Sequence, residues 1–227
     1  MSDTDVFIVS ALRSAIALGK ESGALYPLAP VALASKVMAE TIRRAGIDPK
    51  RLDDVIWGVV TPIGDQGANL ARLATLNANF PVHVPAISIN RMCGSSQQAV
   101  HFASQAILAG DANLVLAGGT EMMSHQMLGA DYPSEWPKSI PHDLVHQGIS
   151  AEMMAEKWNL TREEQDDFAF RSHEKAASAM DAGYFGGQIL PLTIPESENG
   201  KRKSYLFHAD EGVRRRPNRQ KMGELAP

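Results

Sequence analysis

The apolar positions fall into short runs separated by stretches of helical spacing. Residues 5–10 (DVFIVS) form a short apolar run that reads as a buried strand. Pro30 opens a helical stretch in which Val31, Ala34, Val37, Met38 and Ile42 share one face, and Gly46 stops it. Residues 54–60 (DVIWGVV) return as an apolar strand. Gly67 to Phe80 reads as a helix with Leu70, Leu73, Ala74 and Asn77 spaced along it. Residues 86–90 (AISIN) predict a strand, 94–109 a helix ended by Gly110, and 113–117 (NLVLA) a strand closed by Gly118 and Gly119.

Alternating strands and helices over residues 1–119 predict a layered α/β fold, with helices covering both faces of the sheet. The strands are apolar runs more than alternating patterns, as a doubly covered sheet requires. After Gly119 the character changes. Residues 120–147 are irregular and carry Pro133, Pro137 and Pro141. Helical signals then dominate. Thr161 and Glu164 form a capping box for a helix running to about Gly183, with Phe168, Ala169, Ser172, Ala176 and Ala179 as its expected buried side. Residues 189–195 (ILPLTIP) read as a short edge strand limited by its prolines. The tail from Ser197 is polar and basic, with KRK at 201–203 and RRR at 214–216. Two domains are therefore expected: a core over 1–119 and a mostly helical segment over 120–227.

Composition narrows the function classes. The 227 residues are 44% hydrophobic and 21% charged, with a formal net charge of −4, which is ordinary for a globular protein. A mildly acidic chain has no global attraction for nucleic acid or an anionic membrane, so neither is an expected partner. No run approaches the roughly 18 apolar residues of a spanning helix. The start, MSDTDVFIVS, lacks a basic region before an apolar stretch, so a cytoplasmic location is expected. The single cysteine, Cys93, excludes an internal disulfide and a cysteine-based metal cage, and no metal site is expected.

That cysteine lies in SINRMCGSSQQAVHFASQAILAG (88–110), where a strand ends, the chain turns and a helix begins. Unpaired backbone N–H groups and the helix dipole favour negative charge at such a position, hence thiolate. Gly94, Ser95 and Ser96 are small enough for a substrate to approach. The pattern suits a nucleophile in acyl transfer. A lone cysteine is also commonly a buried small hydrophobe, and spacing alone leaves both readings open.

NRMCGSSQQA resembles the active-cysteine motif of the thiolase family, the acetyl-CoA acetyltransferases and 3-ketoacyl-CoA thiolases. AGGTEMMS (117–124) resembles the family's Gly-Gly-x-Glu-x-Met-Ser segment. Residues 146–192 resemble its loop domain along their length, and DEGVR (210–214) and MGELAP (222–227) also match. The resemblance implies the thiolase-like layered fold, its first and incomplete half, joined to a mostly helical loop domain. It implies that Cys93 carries an acyl group as a thioester, either in thiolytic cleavage of a 3-oxoacyl-CoA or in condensation of acetyl-CoA, chemistry of fatty acid metabolism. It places His146 near the CoA pantetheine and Arg214 near the CoA nucleotide. Lys201, Arg202, Lys203, Arg215, Arg216 and Arg219 are expected to be solvated. No permanently bound cofactor is implied, coenzyme A being a substrate.

The chain departs from the family pattern at several places. Gln147 stands where some members have methionine, Lys221 where a serine contacts CoA, and Ser96 where many have glycine. Ser96 is expected to be tolerated unless its backbone needs a positive φ. The family's activating histidine and second cysteine belong to a C-terminal half whose motifs do not occur here. His83, His101, His125, His142, His173 and His208 match no catalytic motif of the family. The implied partners are CoA thioesters, further copies of the chain in a homo-oligomer, and a complementary C-terminal thiolase half. The alternative is a non-catalytic half-module of a split thiolase that binds CoA or pairs with a partner. A ketoacyl synthase of the same fold is disfavoured by the likeness at 146–192.

Overall fold

The computed structural model describes residues 5–198 and 201–226, and the backbone alone at 196–198 and 201–203. In chain order the elements are β1 (Arg13–Ser14), α1 (Pro30–Ala45), β2 (Asp54–Gly58), α2 (Leu70–Asn77), β3 (Ala86–Ile89), α3 (Ser95–Ala109), β4 (Val115–Gly119), α4 (Gln147–Lys157), α5 (Arg162–Asp181), β5 (Ile189–Leu190), β6 (Leu192–Glu198), β7 (Lys201–Phe207) and α6 (Arg219–Gly223). They form two compact units: Met1–Tyr132 with Gly187–Glu211, and Pro133–Gly186 with Gly212–Pro227.

The first unit is built on a parallel sheet of order β3-β2-β4. Side chains on β2 alternate between its faces, as the pleat requires. Val55 and Trp57 turn to one side, where Met38 and Ile42 of α1 and Leu70, Ala71 and Ala74 of α2 close a core with Leu52, Phe80, Val84 and Leu116. Ile56 turns to the other side and meets Ala99 and Ala103 of α3. The result is the expected helix–sheet–helix layering, the thiolase-like α/β fold. Helix α1 runs from Pro30, whose missing N–H costs nothing in a first turn, to Gly46, whose φ of 66° closes the helix without a Cβ penalty. Asp53 accepts hydrogen bonds from the Asn113 and Leu114 N–H groups (2.7 and 3.0 Å), fixing the start of β2 beside β4. Those two donors hold its carboxyl below the usual aspartate range.

The apolar run 5–10 is not a strand. Phe7, Ile8 and Val9 are 75%, 79% and 66% exposed, and the run makes no ladder with the sheet. It shares with β4 the lining of a cavity of about 880 Å³. The strand pairing of this region falls later: β1 pairs in parallel with β5. Arg13 donates two hydrogen bonds to the Asp210 carboxylate at 2.7 and 2.9 Å, and the Ile16 N–H adds a third at 2.8 Å. Glu211 accepts from the Leu18 and Ala24 N–H groups, and the Tyr205 hydroxyl donates to the Ala24 carbonyl. These ties draw 187–211 into the first unit, whereas the sequence reading put everything after Gly119 in the second segment.

The 189–195 run is longer than expected. Its second half is β6 of an antiparallel hairpin with β7, Leu192 opposite Phe207 and Ile194 opposite Tyr205. Leu192, Ile194 and Phe207 are buried, so a period-2 pattern continues into a segment that reads as a polar tail. The side chains of Lys201, Arg202 and Lys203 lie outside the described residues. Helix α2 begins at Leu70, later than Gly67, because Asn69 caps it from a left-handed φ of 56°.

The second unit is mostly helical. Its capping box at Thr161 and Glu164 is formed in both directions. The buried side of α5 is rotated from expectation. Phe168 is 79% exposed and Ala169 and Ser172 are exposed, while Ala177 is buried and Phe170, His173, Met180 and the expected Ala176 and Ala179 are half-buried. Helix α6 accounts for the rotation. Arg219 stacks on the Phe170 ring and pairs with Asp167, and Arg162 donates to the Met222 and Leu225 carbonyls. Among the described residues, no helix is long and apolar enough to cross a membrane.

Two measurements check this architecture. Met38→Ala removes a side chain with no exposed surface from the main core, and is expected to lower the unfolding free energy by about 2–5 kcal/mol in urea titration. The second concerns Asp210, which Arg13 holds below the usual aspartate value of 3.8, against a smaller opposing effect of burial. A depressed carboxylate contributes stability that is present above its unfolded value and lost as pH falls through its folded one. Asp210→Asn is therefore expected to lower the urea midpoint at pH 7, and the gap from wild type to shrink as pH falls below about 4. A gap that does not change with pH would contradict this.

Candidate active site

Strands β2, β3 and β4 run parallel, so their carboxyl ends lie together, and the loops leaving Gly58, Ile89 and Gly119 meet at one edge. The loop after β3 carries Asn90, Arg91, Met92 and Cys93 and runs directly into α3, whose first helical residue is Ser95. Cys93 is exposed there. Gly94 occupies the N-cap and no side chain caps the helix; of the first amides, Gly94 donates to the Arg91 carbonyl and Ser95 to the Met92 carbonyl.

Two glycines set how close the helix comes to the sheet. A Cβ on Gly58 would stand 2.5 Å from the Ser96 nitrogen and 2.6 Å from the Ser95 carbonyl carbon. A Cβ on Gly119 would stand 1.9 Å from the Ser96 Oγ and 2.8 Å from the Gly58 oxygen. The N-terminus of α3 rests on bare backbone. Ser96 itself has helical backbone and is absent from the positive-φ positions, so serine fits where glycine is common in the family.

The strain sits one residue before the cysteine. Met92 has φ of 48°, a left-handed value that L side chains rarely adopt and that costs on the order of 1–3 kcal/mol. Hydrogen bonds hold it there. The Met92 N–H donates to Asn90 Oδ1 at 2.8 Å, and the Met92 carbonyl accepts from the Ser95 hydroxyl at 2.5 Å and from the Ser95 N–H at 3.0 Å. The Ser95 Oγ, almost fully buried, also accepts from the Arg91 N–H at 2.9 Å.

The neighbouring loops are tied to this turn. Asn90 Nδ2 donates to the Val60 carbonyl at 2.8 Å. The other side of Val60 is held by Glu121, whose Oε2 accepts from the Val60 N–H at 2.7 Å. Glu121 Oε1 accepts from Gln66 Nε2, and Gln66 Oε1 accepts from the Met122 N–H. Gln66 has no exposed surface and every polar atom of its amide is used. Asp65 extends the network to His125 (2.5 Å) and Gln126 (2.9 Å). Partial burial works to raise the Asp65 carboxyl, and the Gln126 and His125 contacts outweigh it and leave it low. The His125 ring also faces the Tyr26 carbonyl at 2.9 Å. Sequence reading missed Asn90, Gln66 and the Asp65–His125 pair. Asn90 stands at the start of the NRMCGSSQQA motif, and Glu121, which holds Gln66, stands in AGGTEMMS; the Asp65–His125 pair carried no motif.

His146 and Arg214 lie in the second unit and Cys93 in the first. His146 is the N-cap of α4, where its Nδ1 accepts from the Gly148 N–H at 3.1 Å. Arg214 is exposed, and its backbone N–H donates to His173 Nδ1 on α5 at 3.2 Å. Arg215 and Arg219 are not merely solvated: they pair with Asp181 and Asp167. Lys221 lies in the short helix α6. Among the described residues, no group of three or more histidines, cysteines, aspartates or glutamates is arranged to hold a metal ion.

The comparisons with known proteins agree with this geometry. The family model described as "Thiolase, N-terminal domain" matches residues 6–227. A steroid 3-ketoacyl-CoA thiolase of Mycobacterium tuberculosis is 38% identical over 99% of this chain and 56% of its own length. An acetyl-CoA acetyltransferase of Cupriavidus necator is 38% identical over 99% of this chain and 59% of its own. The crystal structure of the Bacillus anthracis acetyl-CoA acetyltransferase superposes with a TM-score of 0.81 at 35% identity, covering 97% of this chain and 58% of that one. The chain thus spans somewhat more than half the length of the relatives it matches.

The glycine contact yields a test. Gly58→Ala puts a methyl against α3 backbone, which cannot swing aside as a side chain could. It is expected to lower the unfolding free energy by about 1–3 kcal/mol in urea titration. An alanine variant as stable as wild type would show that the contact at the foot of α3 is loose.

Proposed function

The chain belongs to the thiolase family, and on that premise we propose that it supplies the nucleophile of an acyl-CoA acyltransferase. The observation that carries the reading is the placement of Cys93, exposed at the carboxyl edge of a parallel sheet and two residues ahead of α3.

In the degradative direction the Cys93 thiolate attacks the 3-keto carbon of a 3-oxoacyl-CoA. The bond between carbons 2 and 3 breaks, its electron pair leaves on carbon 2, and an acid protonates that carbon to give acetyl-CoA. The acyl group stays on sulfur. A base then takes the proton of a second CoA thiol, whose sulfur attacks the thioester carbonyl and releases the Cys93 thiolate. The synthetic direction reverses these bonds, with acetyl-CoA loading the cysteine. Cys93 is the only cysteine in the sequence, so in this reading the second thiol of the family, and its activating histidine, come from a complementary C-terminal thiolase segment. The relatives, of which this chain matches 56–59%, support that assignment.

The loop-domain likeness supports assigning CoA contacts to the second unit, with His146 toward the pantetheine and Arg214 toward the nucleotide phosphates, a role that suits a guanidinium. Coenzyme A enters as a substrate. The working form is a homo-oligomer in the cytoplasm.

Intact-mass measurement after incubation with acetyl-CoA tests the proposal. Little labelling is expected of the wild-type chain alone, one acetyl adduct per chain when a C-terminal thiolase segment is added, and none on Cys93→Ala. Absence of the adduct even with that segment present would sink the catalytic reading and favour the non-catalytic half-module.

A further inference from the structure

We infer that Asn90 is a positioning residue for Cys93, holding the turn that aims the sulfur; the inference rests on the acyl-transfer reading above. The β2–β3 pairing ends with the Val59 N–H donating to the Ile89 carbonyl at 3.0 Å, and the Asn90 side chain carries that tie one step further, from the loop leaving β2 into the turn before Cys93. One arm, Oδ1, accepts from the Met92 N–H at 2.8 Å, at the residue with φ of 48°. The other, Nδ2, donates to the Val60 carbonyl at 2.8 Å on the loop leaving β2.

Val60 is a firm anchor. Its N–H is held by Glu121, and Glu121 is held by the fully buried Gln66, which also takes the Met122 N–H. The position of Cys93 is therefore referred, through Asn90 and Val60, to the loops leaving β2 and β4. Ser95 supplies a different restraint: it binds Arg91 and Met92 and fixes the turn to the helix it precedes. A left-handed Met92 persists only where its surroundings over-determine it. Ser95 ties the turn to the start of α3, and Asn90 ties its Met92 amide directly to the loop leaving β2. Asn90 is itself exposed, so this role does not come from burial in the core.

The two roles separate in their reaction profiles. Attack on a bound acyl-CoA needs a directed sulfur, and small misplacements cost large factors in rate. Alkylation by iodoacetamide needs an accessible thiolate but no bound acyl group aligned with it. The experiment measures both rates at Cys93 in wild type, Asn90→Ala and Asn90→Asp, with acetyl-CoA and an added C-terminal thiolase segment for the first and iodoacetamide for the second. Melting temperatures are recorded alongside.

Asn90→Ala is expected to slow acetylation at least about tenfold, while alkylation stays within about twofold of wild type. Asn90→Asp keeps the acceptor for Met92 but loses the donor to Val60, and is expected to fall between them. Acetylation at the wild-type rate in Asn90→Ala overturns the inference. So does a parallel loss of both reactions in both variants, which marks a merely structural residue. A wild-type chain that alkylates at Cys93 but never accepts an acetyl group overturns the acyl-transfer reading itself, and the wild-type measurements alone identify that case.

Discussion

The bare backbone contact between α3 and the ends of β2 and β4 is the constraint on which the site depends. Gly58 and Gly119 leave no room for a Cβ, so the first turn of α3 sits directly on the sheet. The short β3–α3 loop must then reach from Ile89 to Ser95 in five residues. It can do so only through a tight turn, and Met92 takes the left-handed conformation that the turn demands. Cys93 is exposed because the turn projects it beyond the sheet edge, and it stands before the helix because the helix is packed so close. The strained backbone, the exposed thiol and the uncapped helix start are one geometric consequence of two missing side chains.

Polar groups then decide how firmly that geometry is held. Buried Gln66 uses its whole amide to join the loops leaving β2 and β4, and Glu121 transmits this to Val60. A partly satisfied buried network would cost stability. This one is complete, since among the described residues no buried side-chain polar atom is without a partner. Its completeness makes the loop after β2 stiff enough to serve as a reference for a neighbouring turn.

Much of this was legible in the sequence, for reasons that differ element by element. Helix α1 carried its start in Pro30, its stop in Gly46 and its buried face in Ala34, Met38 and Ile42, all local signals. The strand–turn–helix around Cys93 was legible because a motif marks it. The buried side of α5 was not, because Phe168 has the hydrophobicity of a core residue and the face is set instead by α6, through Arg219 on Phe170. The β6–β7 hairpin was hidden because KRK and prolines dominate a segment whose inward positions, Leu192, Ile194 and Phe207, are few. Asn90 stood inside the quoted cysteine motif, but its tie to Val60 left no mark, nor did Gln66, since both roles come from partners distant in sequence.

The run 5–10 shows the same limit for a strand. Apolar composition establishes that Phe7, Ile8 and Val9 favour a covered environment, but a strand exists only beside another strand whose N–H and C=O groups face its own. Here the run and the edge strand β4 line one cavity without a ladder between them. The chemistry follows an equivalent rule. The exposed place of Cys93 before a helix is set locally by turn and helix, whereas the acyl transfer proposed for it also needs a group to move protons. Five of this chain's seven histidines already have a ring nitrogen in a hydrogen bond: His83 with the Lys50 carbonyl, His125 with Asp65, His146 with the Gly148 amide, His173 with the Arg214 amide and His208 with the Leu206 carbonyl. Local geometry can expose a sulfur, whereas the proposed reaction cycle depends on a second group set against it, as a strand depends on its neighbour.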